Sequence, residues 1–241
     1  MSKKDKTDST EAYRIIKNLK KADIIKLSRL KCKHGHSYLV HPNCALKEEV
    51  LIDDGKKLYI KEKIGFFDIE CMTFQFKADM GIMLSYCLKE LDGNIISNSI
   101  TPSEVRQLND KRLLVDMCKD LRTFTRVIGY YSSRFDLPFV RTRALKHGLD
   151  FPIYQEIYHT DLYFVMRNKF KLKSNRLKNC CDFFDISSKD TPFHYQVWLK
   201  AMNGDKKALK DILMHNKEDV VSTELLWKKV NNFAMLTKTS I

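Results

Sequence analysis

The segment Ile64-Gly65-Phe66-Phe67-Asp68-Ile69-Glu70 constrains this chain more than any other. It reads as an apolar strand of the kind found inside a sheet, yet it carries two acids. Residues i and i+2 of a strand point to one face, so Asp68 and Glu70 project together while Phe67 and Ile69 face the opposite layer. Two carboxylates on one face of a buried strand are expensive unless something cationic pairs with them. A divalent ion does so; the other reading is a strand end open to water.

Two further acids stand in similar settings. Asp136 follows a second apolar strand, Val127-Ile128-Gly129-Tyr130-Tyr131, within Ser132-Ser133-Arg134-Phe135-Asp136-Leu137. At a strand-to-helix junction an acid is either a ligand or a plain helix cap. Asp219 lies in the last helix, and His215 is four residues before it, so the two stack on one face. The apolar stripe Leu209, Ile212, Leu213, Val220, Leu226 and Trp227 borders that face, which therefore lies next to the core.

Around these residues the pattern predicts strands over 64–70, 81–88 and 95–100, a turn at Asp92-Gly93-Asn94, and helices over 110–123 and 135–147. Gly148 stops the second of these helices. Further helices fit 160–169, 175–185, 194–202 and about 205–235. A strand meander followed by helix–strand–helix alternation predicts an α/β layer fold.

The ordered series Phe67-Asp68-Ile69-Glu70, Phe135-Asp136 and His215-xxx-Asp219 resembles the three motifs of the DEDD (DnaQ-like) 3′→5′ exonucleases, members of the ribonuclease H-like superfamily. The resemblance covers about residues 62–230. It points in particular to the proofreading domains of family B DNA polymerases and to predicted stand-alone exonucleases. His159-Thr160-Asp161-Leu162-Tyr163 and the following Ser174-Asn175-Arg176-Leu177 are similar to two further stretches of that family. The resemblance implies a mixed central sheet flanked by helices and hydrolysis of phosphodiester bonds with two Mg²⁺ or Mn²⁺ ions. It also implies the roles: Asp68 bridges both ions, Glu70 and Asp219 complete the one nearer the nucleophile, and Asp136 holds the other. Asp161 matches no metal position and is expected to cap its helix. An all-oxygen donor set suits hard cations.

Two residues depart from the family pattern. Four positions before the last acid the polymerase-type subgroup has Tyr, whereas His215 stands here; the other subgroup has its His one position earlier. His215 is a credible general base, because imidazole exchanges protons near neutral pH. Tyr131 stands where the motif often has Asn, and it either stacks on a base or packs. Phe74, Phe76 and Tyr130 are further stacking candidates. Arg134, with Arg141 or Arg143, is a candidate phosphate contact.

Composition bears on the partner. With 43 Lys and Arg against 30 Asp and Glu, the chain carries a formal net charge of +13, a surface that attracts polyanions. Residues 1–60 read as a basic helical arm and 61–241 as the nuclease domain. Up to residue 63 the arm has 16 Lys/Arg against 9 Asp/Glu. Two short amphipathic helices are expected in it, one from Ser9 through Leu19 and one spanning Ile24 to Leu30, and it is either a contact for substrate phosphates or a plain solvated helix pair. The loop over 32–44 gathers Cys32, His34, His36, His41 and Cys44. Cys32, His36, His41 and Cys44 are the candidate ligands of a structural Zn²⁺, against a basic loop with incidental His and Cys. An odd count of 7 cysteines, no signal-peptide pattern and no apolar run of membrane-spanning length predict reduced thiols. They also predict an intracellular protein, cytoplasmic or nucleoid-associated rather than secreted. The expected substrate is single-stranded DNA, with RNA as the alternative and a non-catalytic nucleic-acid-binding module as the reading from another class.

Overall fold

The computed structural model of the chain describes residues 19, 21–48, 50–53, 58–60, 62–154, 156–187 and 194–234. The arm contributes helix α1 (Lys21–Arg29), a short helix α2 (Pro42–Lys47) and a hairpin of β1 (Leu51–Asp53) with β2 (Leu58–Ile60). Apart from Leu19, the first helix expected in the arm lies outside the described residues. The expected loop over 32–44 runs into α2.

The remaining strands form one mixed sheet. They are β3 (Ile64–Thr73), β4 (Gly81–Glu90), β5 (Ile95–Ser99), β6 (Arg126–Gly129) and β7 (Tyr158–Asp161). Their order across the sheet is β5-β4-β3-β6-β7. β3 pairs antiparallel with β4 and parallel with β6; β6 pairs parallel with β7. The strand with two acids is therefore the central one. Helices α3 (Pro102–Arg106), α4 (Lys111–Leu121), α5 (Asp136–Lys146), α6 (Leu162–Lys169), α7 (Leu177–Phe183), α8 (Tyr195–Met202) and α9 (Lys206–Val230) cover its two faces. This is the expected α/β class. Among the boundaries that differ, residues 160–161, read as the start of a helix, close β7, and the helix begins at Leu162; Tyr130 and Tyr131, read as the end of a strand, follow β6.

The alternation in β3 sorts its side chains as anticipated. Phe67 and Ile69 join the larger apolar cluster with Leu113, Leu114 and Met117 of α4 and Val140 of α5. Phe66 joins the second cluster, with Ile128, Leu162, Val220 and Trp227. Asp68 and Glu70, two and four residues beyond Phe66, thus share the face on which α9 lies.

Helix α9 is fixed at both ends. The Asp205 carboxylate caps it by accepting from the Ala208 amide at 2.7 Å. Near its other end the buried Glu224 accepts from the Asp92 amide at 2.8 Å and pairs with Lys89 at 2.8 Å, holding the helix to the β4–β5 turn. Between these anchors Asn216 donates to Ser85 Oγ at 3.3 Å, and Ser85 is the cross-strand partner of Glu70.

The described part of the arm docks on the starting ends of the parallel strands. Lys26 Nζ sits 3.5 Å from the ring centroid of Tyr158, the first residue of β7, and Arg29 pairs with the buried Glu156 at 2.5 Å. Asp136 and Asp161 lie at the finishing ends of β6 and β7. Lys26 and Arg29 therefore stand at the end of the sheet opposite these two acids.

Candidate active site

The four acids come from three elements that the fold brings together. Asp68 and Glu70 project from β3, Asp136 opens α5 just after β6, and Asp219 projects from α9. The Ile69 amide, between the first two acids, donates to Asp136 Oδ1 at 3.1 Å. His215 Nε2 stands 3.7 Å from Glu70 Oε1 and 3.8 Å from Asp219 Oδ2. Donor atoms of Glu70, His215 and Asp219 all lie within 4.8 Å of one another, a spacing that one metal ion can bridge.

Electrostatics show the same convergence. Burial, and then the carboxylates of Asp136, Asp219 and Glu70, hold the Asp68 carboxyl well above its ordinary range. Burial, followed by Asp219 and Asp136, does the same to Glu70. Burial pushes Asp136 up to about 7, against the Ile69 amide, which favours its charged form. Burial and mutual repulsion both disfavour the ionised forms of these acids, and a divalent ion would offset both. The donor chemistry fits hard divalent ions: oxygen ligands from all four acids, with an imidazole beside two of them.

The loop that delivers Asp136 is built around Asp161. This carboxylate caps α6 through the Tyr163 amide at 3.1 Å, as the sequence indicated. It also accepts from the Tyr131 amide at 2.8 Å and from the Ser133 amide at 2.9 Å, a role the sequence reading missed. Tyr131 is held there at φ +62°, a left-handed backbone that side chains disfavour. Ser132 Oγ lies 2.9 Å from Nε2 of the buried His159, and burial lowers that imidazole to about 4, so it is neutral. The signal for this support was the His159-Thr160-Asp161-Leu162-Tyr163 stretch, which places both residues on β7.

Beside the acids, aromatic rings face solvent. Tyr131 is 46% exposed, its ring 4.8 Å from Tyr163 and stacked 6.3 Å from Phe164. The Arg134 guanidinium lies 5.7 Å from the centroid of Phe164. A groove of about 440 Å³ runs between Tyr130, Tyr131, Tyr163, Asn175 and Arg176. Phe74 and Phe76 are also exposed, and Phe76 meets Phe135 edge-on at 5.9 Å. Arg143 is not available to phosphate: it is buried against Asp110, with its NH2 2.6 Å from Oδ1.

The Cys/His loop forms a second cluster, with one correction to its membership. Ligand atoms of Cys32, His34, His41 and Cys44 lie within 4.8 Å of one another, and His34 takes the place expected for His36. Gly35 at φ +79° reverses the chain, and the Cys32 amide donates to the His36 carbonyl at 2.9 Å. The turn thereby points His34 at the two thiols. His36 is exposed, its ring 4.6 Å from that of His41.

A family model described as the RNase_H superfamily matches residues 65–231, a range that includes all four acids and His215 but not the Cys/His cluster. Among solved structures, the chain is similar to the family B DNA polymerase from the hyperthermophilic archaeon Pyrobaculum calidifontis. The TM-score is 0.56 at 19% identity, over 71% of this chain and 25% of that one. The chain therefore spans about a quarter of that polymerase's length, and the likeness is one of fold. No curated protein matches the sequence. Among the described residues, no helix is long and apolar enough to cross a membrane.

Proposed function

The chain belongs to the RNase_H superfamily, and from that premise we propose that it is a metal-dependent 3′→5′ exonuclease of unpaired DNA ends. In this reading residues 61–241 form the nuclease domain and residues 1–60 an arm. The observation that carries it is the convergence of Asp68, Glu70, Asp136 and Asp219 around the central strand, with His215 Nε2 3.7 Å from Glu70.

Asp68, Glu70 and Asp219 would hold one divalent ion, and Asp68 with Asp136 a second. Two such ions supply Lewis acidity toward the scissile phosphodiester and its leaving oxygen. His215 Nε2 accepts the proton of the attacking water, and its position beside Glu70 and Asp219 stabilises the imidazolium that results. Asp161 keeps the 131–133 loop, and with it Asp136, in place. Tyr131, Tyr163 and Phe164 offer faces for unpaired bases, and Arg134 and Arg176 offer charge to the backbone.

The test uses 5′-labelled single-stranded DNA and RNA of one sequence with Mg²⁺ or Mn²⁺. A ladder shortening from the 3′ end, blocked by a 3′-phosphorothioate and absent in Asp68→Ala/Glu70→Ala, is expected with DNA. A ladder on RNA alone would move the assignment to an exoribonuclease. One discrete fragment would make it an endonuclease, and binding without cleavage a non-catalytic module.

A further inference from the structure

We propose that Cys32, His34, His41 and Cys44 bind one Zn²⁺ as a structural site that staples the basic arm. The site lies outside the matched range of residues 65–231 and stands independently of the nuclease reading.

The distances argue for a tetrahedron. Cys32 Sγ lies 3.8 Å from His34 Nδ1 and 3.7 Å from His41 Nδ1. Cys44 Sγ lies 3.4 Å from His34 Nδ1 and 3.7 Å from His41 Nδ1. With the usual zinc–sulfur and zinc–nitrogen lengths, the sulfur–nitrogen edge of a tetrahedral site is about 3.6 Å. All four such edges thus have the length that a central zinc imposes, and both imidazoles present the same atom, Nδ1.

The local chain is shaped for this. One pair of ligands comes from the turn that Gly35 permits, closed by the Gly35 amide on the Cys32 carbonyl at 2.8 Å. The other pair, His41 and Cys44, flanks the start of α2, where the Cys44 amide donates to the His41 carbonyl at 3.0 Å. Each pair therefore arrives on a single turn, which keeps its two donors on one side.

The arm also needs a staple. Among the described residues its buried apolar cluster comprises Leu19, Leu27, Cys32, Tyr38, Cys44, Ala45 and Leu51, and two of these are the ligand cysteines themselves. So small a core does not hold a fold on its own; modules of this size lean on a metal or a disulfide. Both cysteines are free thiols. Zinc binding replaces the two thiol protons, and two thiolates with two neutral imidazoles leave a site of zero net charge. The sulfur and nitrogen donors select zinc over the hard ions that suit the acidic site.

The test is metal analysis of the full chain, purified with reductant and dialysed against Mg²⁺ buffer without chelator. Elemental analysis is expected to find one zinc per chain, released as a mercurial reagent titrates the thiols. Cobalt substitution is expected to give a thiolate-to-metal absorption band. Zinc should fall at least tenfold in Cys32→Ser/Cys44→Ser and in His34→Ala, and should persist in His36→Ala and in Asp68→Ala/Asp219→Ala. Zinc-free wild-type protein without a cobalt–thiolate band overturns the proposal, as does zinc retained by the double serine variant. A Cys32–Cys44 disulfide in zinc-free protein prepared without reductant would overturn it too. The wild-type measurements decide the matter even if the serine variants fail to fold.

Discussion

Ile69 donates its backbone amide to Asp136 Oδ1 at 3.1 Å, so the residue between two acids of β3 orients a third. The same hydrogen bond ties the start of α5 to the central strand. It also draws into the acidic cluster a carboxyl that burial pushes up to about 7.

That crowding gives the metal-free protein an unusual pH dependence. Between its ordinary 3.8 and about 7 the folded Asp136 binds more protons than the unfolded one. Its contribution to stability therefore falls as pH rises through this window, and the penalty is complete above it. In magnesium-free buffer the melting temperature is expected to be higher near pH 5 than near pH 7.5, and Mg²⁺ should recover the difference. A chain of this size moves roughly 2–4 °C per kcal/mol. Asp136→Asn should flatten the pH response, and scanning calorimetry of both proteins, with and without Mg²⁺, measures it.

His215 lies against two acids, and replacing it separates proton transfer from ion binding. His215→Ala is expected to lower the cleavage rate about 10²–10⁴-fold, the usual range for a general base, with Mn²⁺ affinity changed far less. An unchanged rate would remove His215 from the mechanism. A matching loss of Mn²⁺ affinity would make it a ligand instead.

Asp161 holds two amides of the 131–133 loop and caps α6. Losing the cap alone costs about 1 kcal/mol, and the two loop amides add to that. Asp161→Ala is therefore expected to lower both the melting temperature and kcat, because Asp136 loses its frame. Tyr131→Ala should instead raise KM on single strands about tenfold with kcat kept, in line with roughly 1–3 kcal/mol per stacked base. Steady-state kinetics of the two variants distinguish frame from platform.

Gly129 closes the same loop from below. A Cβ there would stand 2.2 Å from Ser132 Oγ and 3.1 Å from the Phe67 carbonyl. Gly129→Ala is expected to destabilise the chain by about 1–3 kcal/mol, the usual cost of overpacking, and denaturant unfolding reads this directly.

Much of the candidate site's geometry was legible in the sequence because it depends on short-range spacing. The two-residue spacing of Asp68 and Glu70 fixes a common strand face, and the four-residue spacing of His215 and Asp219 fixes a common helix face. Gly148 ends α5 at φ +66°, as its position suggested. What escaped depends on distant partners. β7 is four residues long and carries a His and an Asp, so its strand character comes from pairing with β6. The short helix α3 was missed, although Thr101 and Glu104 form its capping box. Arg143 looked like a phosphate contact until Asp110, 33 residues away in sequence, buried it. His34 and His36 are chemically alike, and only the reversal at Gly35 decides between them.

Whether acids from three separate elements form one ion site is tested most directly by Mn²⁺ titration calorimetry. It compares the wild type with Asp68→Asn/Asp219→Asn. The expected result is a binding isotherm in the wild type that disappears in the double variant, together with cleavage of single-stranded DNA, while zinc content stays unchanged. Indistinguishable isotherms, or cleavage at the wild-type rate by the double variant, would contradict it.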